Sequence, residues 1–549
     1  MARHQRNTTS GPKIDRRTLL RWFGGGVAAA AGKVGGAPAG RAAAAAVEAT
    51  LRIGDYFNIK SLDPARTLEI LSWTVGHATY DSLVTFDGED LRTPKPQLAT
   101  TWKISPDGRV YSFTLRPNVR FQSGNPLTSA DVKWSFDRVN NVKSNPAFFL
   151  SGVEDVQAPA PLTVVVRMKQ PQPSILPILS SPSLGVLDSK LMTANGGDAG
   201  PEAKDRDKAE PFLHTQSPGS GAFMLAGYTP NQEVVLVKNP SHWRGAPKVD
   251  RIVIRNITEP ATQQLELLRG DLDIATGLGQ PQVQALRRVP GVTMKTTPAA
   301  TTFYVLMNNN PQTGGPFANP KVQQAVRYAI DYQGLMEIAG AGAIRLAGVI
   351  PPSFPGALDS REAVKTDRER ARALLREANL GEVRGQITHA KGWIRMGVEM
   401  DLVVQKIQSD LAAVGIRTDL NGLPLITALQ QYRDGKNQVG VWAYAADYPD
   451  ADDYLVYLPG RLVGKRAGWM ADANSATQEL ARWGQEAESE VDGRKRAALF
   501  QKIERRLAEI GPYAPLFTPA IPYAFRSNVQ GVTFNSVWGL DLFTIGKGR

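Results

Sequence analysis

The stretch best equipped for chemistry is Val441–Leu455, VWAYAADYPDADDYL, which gathers Trp442, Tyr444, Tyr448 and Tyr454 with the carboxylates of Asp447, Asp450, Asp452 and Asp453. Its apolar run through Ala446 predicts a buried strand that ends at Asp447, and Pro449 forces the turn that follows. A carboxylate at a strand end, walled by aromatic rings that exclude water, suits an ammonium group, because the attraction grows as the local dielectric falls. Two plainer arrangements use the same letters. One is an ordinary strand followed by a solvated acidic loop. The other is a calcium loop built from the four aspartates, although the glycine and distal glutamate of an EF-hand are missing.

The surrounding elements must hold that stretch in place. Upstream, Thr302–Met307 reads as an apolar strand, and Asn319-Pro320 caps and starts a helix with Val322, Val326, Ala329 and Ile330 on one face. Thr366-x-x-Glu369 reads as a capping box, and Glu399–Val414 as a helix ending at Gly415 before a strand Ile416–Leu420. A helix over Arg494–Ile510 precedes Pro512, Pro515, Pro519 and Pro522, which stiffen a segment able to return as an edge strand or hinge. Earlier, Tyr111, Phe113 and Leu115 alternate as a half-buried strand, and Thr128 with Asp131 caps a helix. Residues 193–222 read as a polar surface loop. Ala222–Tyr228 and Glu233–Lys238 form a strand pair, and strand Ile252–Ile257, the helix from Pro260 to Gly270 and strand Leu272–Ala275 follow. Strand, helix and strand in sequence predict a mixed or parallel sheet covered by helices.

At 549 residues the chain exceeds a single core. Its first 46 residues differ from the rest. Arg16-Arg17 precedes two leucines and Arg21, then a weakly apolar run and small residues to Ala46, the layout of a twin-arginine export leader. That leader carries eight basic residues and one acid, a charge of +7, which leaves +5 of the formal +12 for the remaining chain. So mild a surplus, with no basic block, removes the main support for nucleic-acid binding. The absence of cysteine excludes disulfides, thiolate metal sites, a thiol nucleophile and a lipid-anchoring cysteine.

Several chemistries have no carrier. There is no phosphate-binding loop, no G-x-S-x-G and no H-E-x-x-H, and His4, His77, His214, His242 and His389 are scattered. Paired carboxylates without a histidine or lysine partner give poor support for acid–base catalysis. The residues provide no positive reason for an enzyme, and no cofactor or metal is expected.

The ordered blocks nevertheless add up. Pro96–Trp102 with Asp107-Gly108, Leu115–Phe121 with Gly124 and Leu127-Thr128-x-x-Asp131-Val132 are followed by Gly219–Phe223, Asn239-Pro240-x-x-Trp243, Val322–Asp331 and Asp447-Tyr448-Pro449-Asp450. In this order they resemble the large periplasmic solute-binding proteins of ABC transporters, of the dipeptide/oligopeptide class (family 5). The resemblance implies an α/β, two-lobed periplasmic-binding-protein-like fold (type II, cluster C) with an extra α+β subdomain. Lobe I would comprise residues 47–78, 216–297 and 515–549, with the subdomain at 79–215 inserted into it, and lobe II residues 298–514. Two chain crossings would join the lobes, near Thr297–Thr301 and Pro512–Pro522. It also implies a monomer in the periplasm that binds a peptide or small solute and meets an inner-membrane ABC permease only transiently. By motif match Asp447 would take the α-ammonium of a peptide, and Arg395, in the loop before the helix that holds Ile407, is the candidate for its carboxylate. Trp442, Tyr444 and Tyr448 would wall the pocket, with Trp73 and Tyr304 added from the lobe edges. Tyr444 stands where many members have tryptophan, which implies a reshaped side-chain pocket. Rival readings keep the architecture with another cargo (an opine, a glycan, a metal chelate), or make the chain an exported cofactor-bearing oxidoreductase or a sensor.

Overall fold

Alternating and fully apolar segments assemble into three main sheets in the computed structural model, which describes residues 49–548. The leader expected at residues 1–46 lies outside the described residues. No helix among the described residues is long and apolar enough to cross a membrane.

The first sheet has seven strands, in the spatial order Val292–Pro298, Ala520–Arg526, Ile274–Ala275, Thr50–Asp55, Arg251–Asn256, Glu233–Lys238 and Phe223–Thr229. It is mixed, as the strand–helix–strand order predicts: Thr50–Asp55 runs parallel to both of its neighbours and the other pairs are antiparallel. The helix Pro260–Arg269 lies between Arg251–Asn256 and Ile274–Ala275 in the chain. It ends at Gly270, whose φ of 88° closes the last turn at no Cβ cost.

The second sheet has six strands, in the order Ile344–Arg345, Tyr513–Thr518, Thr301–Met307, Val439–Ala445, Val383–Ala390 and Ile416–Leu423. Its two faces sort by alternation. Phe303, Val305, Met307, Val439 and Val441 join one apolar cluster with the helices Pro320–Ala329 and Met400–Ala412. Tyr304, Leu306 and Trp442 face a second cluster, which also contains Trp73 and the interior of the third sheet. Every residue of Thr301–Met307 is buried, which explains its unbroken apolar run.

The third sheet is four-stranded and antiparallel (Ala99–Ile104, Val110–Leu115, Thr163–Met168, Val153–Ala160), and the helix Ser129–Val142 packs on it. Asp131 Oδ2 accepts from the Thr128 backbone N–H and hydroxyl, which closes the expected cap.

The chain passes twice between the first two sheets. Val292–Pro298 continues into Thr301–Met307 through Ala299-Ala300, and Tyr513–Thr518 continues into Ala520–Arg526 through Pro519. The passages are bonded to each other: Ala299 N–H donates to Pro519 O at 2.9 Å, and the Thr518 hydroxyl donates to Ala299 O at 2.6 Å. Ala300 O accepts from Ala446 N at 2.8 Å and from the Tyr454 hydroxyl at 2.9 Å.

Three local readings need correction. The expected capping box at Thr366 does not form: Asp367 caps the helix Arg368–Ala378 by accepting from Arg370 N, while the Thr366 hydroxyl donates to Ile330 O. A carboxylate next to the first turn outcompetes a hydroxyl one residue earlier. The proline-rich return does not lie at an edge, because both Tyr513–Thr518 and Ala520–Arg526 have a strand on either side. Pro515 is accommodated where the register slips between Phe303 and Tyr304.

Residues 193–222 are not merely a surface loop. They form the short helices Ala203–Arg206 and Glu210–Leu213, and they bury Asp207. Its partner is Arg138, only 1% exposed, which bonds both oxygens of Asp63 at 2.7 Å and both of Asp207 at 2.8 and 2.9 Å. Arg66 reaches the same two carboxylates at 3.2 and 3.1 Å. This network fastens the helix on the third sheet to the segment after Thr50–Asp55. Removing the central guanidinium strands two buried carboxylates, so Arg138→Met is expected to cost about 3 kcal/mol or more in urea unfolding. An unchanged midpoint would show that the network contributes no net stability.

Candidate ligand-binding site

The strand Val439–Ala445 ends two residues before Asp447, as the apolar run predicts. It pairs antiparallel with Thr301–Met307, placing Trp442 opposite Tyr304 and Tyr444 opposite Thr302. A 3-10 turn, Ala451–Tyr457, follows the Pro449 bend and brings the later aspartates back beneath the strand end.

The four aspartates diverge. Asp450 caps the 3-10 turn through Asp452 N and forms a two-pronged ion pair with Arg496 at 2.7 and 2.9 Å. Asp452 accepts from the Ser174 hydroxyl at 2.5 Å and from the Tyr448 hydroxyl at 3.3 Å. Asp453 accepts from Asp447 N at 2.8 Å and from the Tyr444 hydroxyl at 3.2 Å. Three of the four therefore hold the loop together, and no group of three such side chains among the described residues could hold a metal ion. A calcium loop needs its carboxylates to converge, and these do not.

Asp447 is the exception. It is half-buried, and among the described residues its carboxylate accepts no side-chain hydrogen bond and forms no ion pair. Burial alone raises its pKa from 3.8 to about 6. Asp452 is likewise pushed to about 6 by burial, against the pull of Arg496. Burial and then the Asp447 charge drive Asp453 well above the usual carboxylate range.

The other expected site residues occupy distinct places. Tyr444 borders Asp447 through their shared bond to Asp453 and meets Tyr454 and Tyr457 edge-on at 5.8 and 5.9 Å. Tyr448 is buried with its ring edge-on to Phe149 of the neighbouring third-sheet unit, at 6.3 Å. Trp442 and Tyr304 lie deeper. Trp442 stacks on Tyr432 at 4.5 Å and donates its indole N–H to Asn437, and the Tyr304 hydroxyl bonds that of Tyr432 at 2.5 Å. Trp73 sits on the helix Ile70–Thr79 of the other side, with its indole N–H donated to Ser183 at 2.9 Å.

Arg395 stands on a hairpin, Ile394–Arg395 against Val398–Glu399, between the strand Val383–Ala390 and the helix Met400–Ala412. Its Nε is buried without a hydrogen-bond partner, it forms no ion pair among the described residues, and burial lowers its pKa. Among the described residues the structure thus holds an unpaired anion and an unpaired cation in the segments that follow two strands of the second sheet, Val439–Ala445 and Val383–Ala390, and it bonds neither to the other. The residues missed from sequence are two of the supports, Arg496 and Ser174. No local pattern marks them, because Arg496 and Ser174 meet their aspartates across 46 and 278 residues of chain.

The model of the bacterial extracellular solute-binding proteins, family 5, matches residues 93–461. The chain belongs to this family. It is similar to the di/tripeptide-binding protein 2 of Pseudomonas aeruginosa strain UCBPP-PA14, with 27% identity over 533 residues, covering 91% of this chain and 96% of that one. Among solved structures it resembles a dipeptide-binding protein from Pseudoalteromonas sp. SM9913 in complex with Met-Leu (TM-score 0.75, 21% identity, 91% of this chain, 100% of that one). It also resembles the binding protein AgaA of A. tumefacien R10 in complex with agropinic acid (TM-score 0.72, 22% identity, 91% and 99%). These likenesses confirm the periplasmic-binding-protein fold.

A raised carboxylate pKa means that the folded state disfavours the charged form. The penalty at Asp447 is full above about pH 6 and vanishes below 3.8. Asp447→Asn is therefore expected to stabilise the ligand-free protein by about 1–3 kcal/mol at pH 8 and by progressively less from pH 6 to pH 4. Thermal unfolding of both proteins across that range checks it; a gain independent of pH would rule out an uncompensated charge.

Proposed function

We propose that this solute-binding protein is the receptor component of an ABC importer, capturing a short peptide or related amino-bearing solute between two lobes. The lobes would be residues 47–78, 216–297 and 515–549 on one side and 298–514 on the other, with the unit at 79–215 attached to the first. The observation that carries the reading is the Asp447 carboxylate, desolvated beside Tyr444 and without a counter-charge. A peptide's ammonium supplies that charge, and in a water-poor setting the pair gains strength. Arg395 takes the ligand carboxylate, for which a planar guanidinium offers two parallel donors. Tyr444 and Tyr448 wall the pocket, Trp442 and Tyr304 form its packed floor, and Trp73 contributes from the facing lobe.

The protein works as a monomeric carrier and not as a catalyst. It closes around its ligand by rotation at Ala299-Ala300 and Pro519, and it hands the ligand to an inner-membrane permease. The leader at residues 1–46 sends it to the periplasm by the twin-arginine route. Ligand contacts made only in the closed form would shift the population toward closure.

A second cargo class is favoured by one observation. The structural neighbour AgaA, in complex with agropinic acid, supports an opine as the alternative cargo. A thermal-shift scan of the mature protein against pooled dipeptides, tripeptides and longer peptides, with opines in a separate pool, separates the two. A ligand at 100 times its Kd adds about 2.7 kcal/mol, a shift of several degrees at most. A response to a peptide pool supports the peptide reading and gives the length class, whereas a response to opines alone replaces it.

Asp447→Asn is expected to keep the fold and to weaken amino-bearing ligands by more than about tenfold, the scale of a lost charge-assisted hydrogen bond. Titration calorimetry on the responding pool measures this, and unchanged affinity would remove Asp447 from the site.

A further inference from the structure

The hairpin that carries Arg395 is held at both ends by groups with no part in the reading above. At its base, His389 ends the strand Val383–Ala390, and its Nε2 lies 3.1 Å from Asp401 Oδ1 in the first turn of the helix Met400–Ala412. The other oxygen of Asp401 accepts from Gly392 N at 3.0 Å. The carboxylate thus bonds the start of the loop to the start of the helix and sits against the His389 ring near the end of the strand, close to Nε2 but without a hydrogen bond to it. The histidine ring is 5% exposed and lies flush against Gly422 of the next strand, where a Cβ would come within 3.1 Å of Cε1. Backbone bonds from Lys391 N to Leu423 O and from Met400 N to Trp393 O complete the base.

At the tip, Met396 packs against the apolar cluster of the first sheet, and Gly397 faces Leu278 O, in the loop after the strand Ile274–Ala275, and Pro522 of that sheet. Met396 and Gly397 take positive φ of 51° and 76°, which the tight reversal requires. The hairpin therefore spans from one sheet to the other with both ends fixed. Arg395 lies between those ends, with its Nε buried and no counter-ion supplied. A long cationic side chain without its own partner would otherwise sample many rotamers and lose more entropy on engaging a ligand.

We infer that His389 and Asp401 are positioning residues for carboxylate recognition: their pair anchors the Arg395 hairpin so that the guanidinium is presented ready to receive the carboxylate end of a ligand. The inference rests on the assignment of Arg395 made under Proposed function.

The test compares a mixture of dipeptides with free C-termini against the same mixture C-terminally amidated. Both are titrated into the mature protein by thermal shift, giving a free-acid/amide ratio of apparent affinities. The variants are Asp401→Asn, which keeps an acceptor for Gly392 N–H but loses the charge, His389→Gln and Arg395→Gln. For the wild type the ratio is expected to reach about tenfold or more. Asp401→Asn and His389→Gln should each lower it at least threefold while the affinity for the amidated mixture stays at its wild-type value. A purely structural role would weaken both mixtures alike, leave the ratio unchanged and overturn the inference. Should His389→Gln fail to fold, Asp401→Asn decides the matter, since Asp401 is partly exposed. If Arg395→Gln collapses the ratio and Asp401→Asn does not, only the positioning role falls. If Arg395→Gln leaves the ratio untouched, or neither mixture binds the wild type, the carboxylate reading falls and the inference with it.

Discussion

The rest of the structure depends on how the chain passes between its two large sheets. At Ala299-Ala300 and at Pro519 two strands of one sheet become two strands of the other without a loop in either passage. A passage this short would leave peptide groups stranded, so each is paired. Ala299 bonds to Pro519 and Thr518, and Ala300 O accepts both from Ala446 N–H and from the Tyr454 hydroxyl. Those two donors flank Asp447 in the chain. The backbone that joins the sheets is therefore bonded directly to the loop carrying the free carboxylate. Any rotation at the crossing must be felt at that loop, and a ligand held there bears on the crossing in turn.

The second constraint is electrostatic. Four carboxylates within seven residues, under a roof of aromatic rings, would be intolerable if all were charged and unpaired. The fold disperses them. Arg496 neutralises Asp450, two hydroxyls serve Asp452, and Asp453 takes up a backbone N–H and the Tyr444 hydroxyl. Of these four, Asp447 alone is left without a donor to its carboxylate among the described residues, and Arg395 holds a buried guanidinium Nε without an acceptor. A folded chain tolerates such residues when a later partner offsets the cost.

Support for these two groups differs in kind. Asp447 is held by backbone geometry, at the end of a central strand and inside a short turn. Arg395 is held by a hairpin whose tip approaches Pro522 of the first sheet and Leu278 of the loop beside it. The first follows a central strand of the second sheet, whereas the second reaches its setting only when both sheets are in place. Recognition of an amine and of a carboxylate would therefore report on different things: the first on local folding, the second on closure.

Much of this was legible in the chain itself. Thr128 with Asp131, Asn319-Pro320 and Gly270 mark helix ends through bonds within a few residues, and the apolar run to Ala446 marks the strand that delivers Asp447. Such features are local, so a one-dimensional pattern suffices. Thr366 misled because two capping side chains stand side by side and only the fold selects between them. The segment 193–222 misled because the partner that buries Asp207 is Arg138, distant in sequence. The same distance separates what the amino-acid order determined from what tertiary structure decided. Order placed four aspartates and three tyrosines in one turn. Which aspartate stays unpaired was settled largely by Arg496 and Ser174, side chains delivered by a distant helix and loop, because an ion pair or hydrogen bond depends on distance in space and not on separation along the chain.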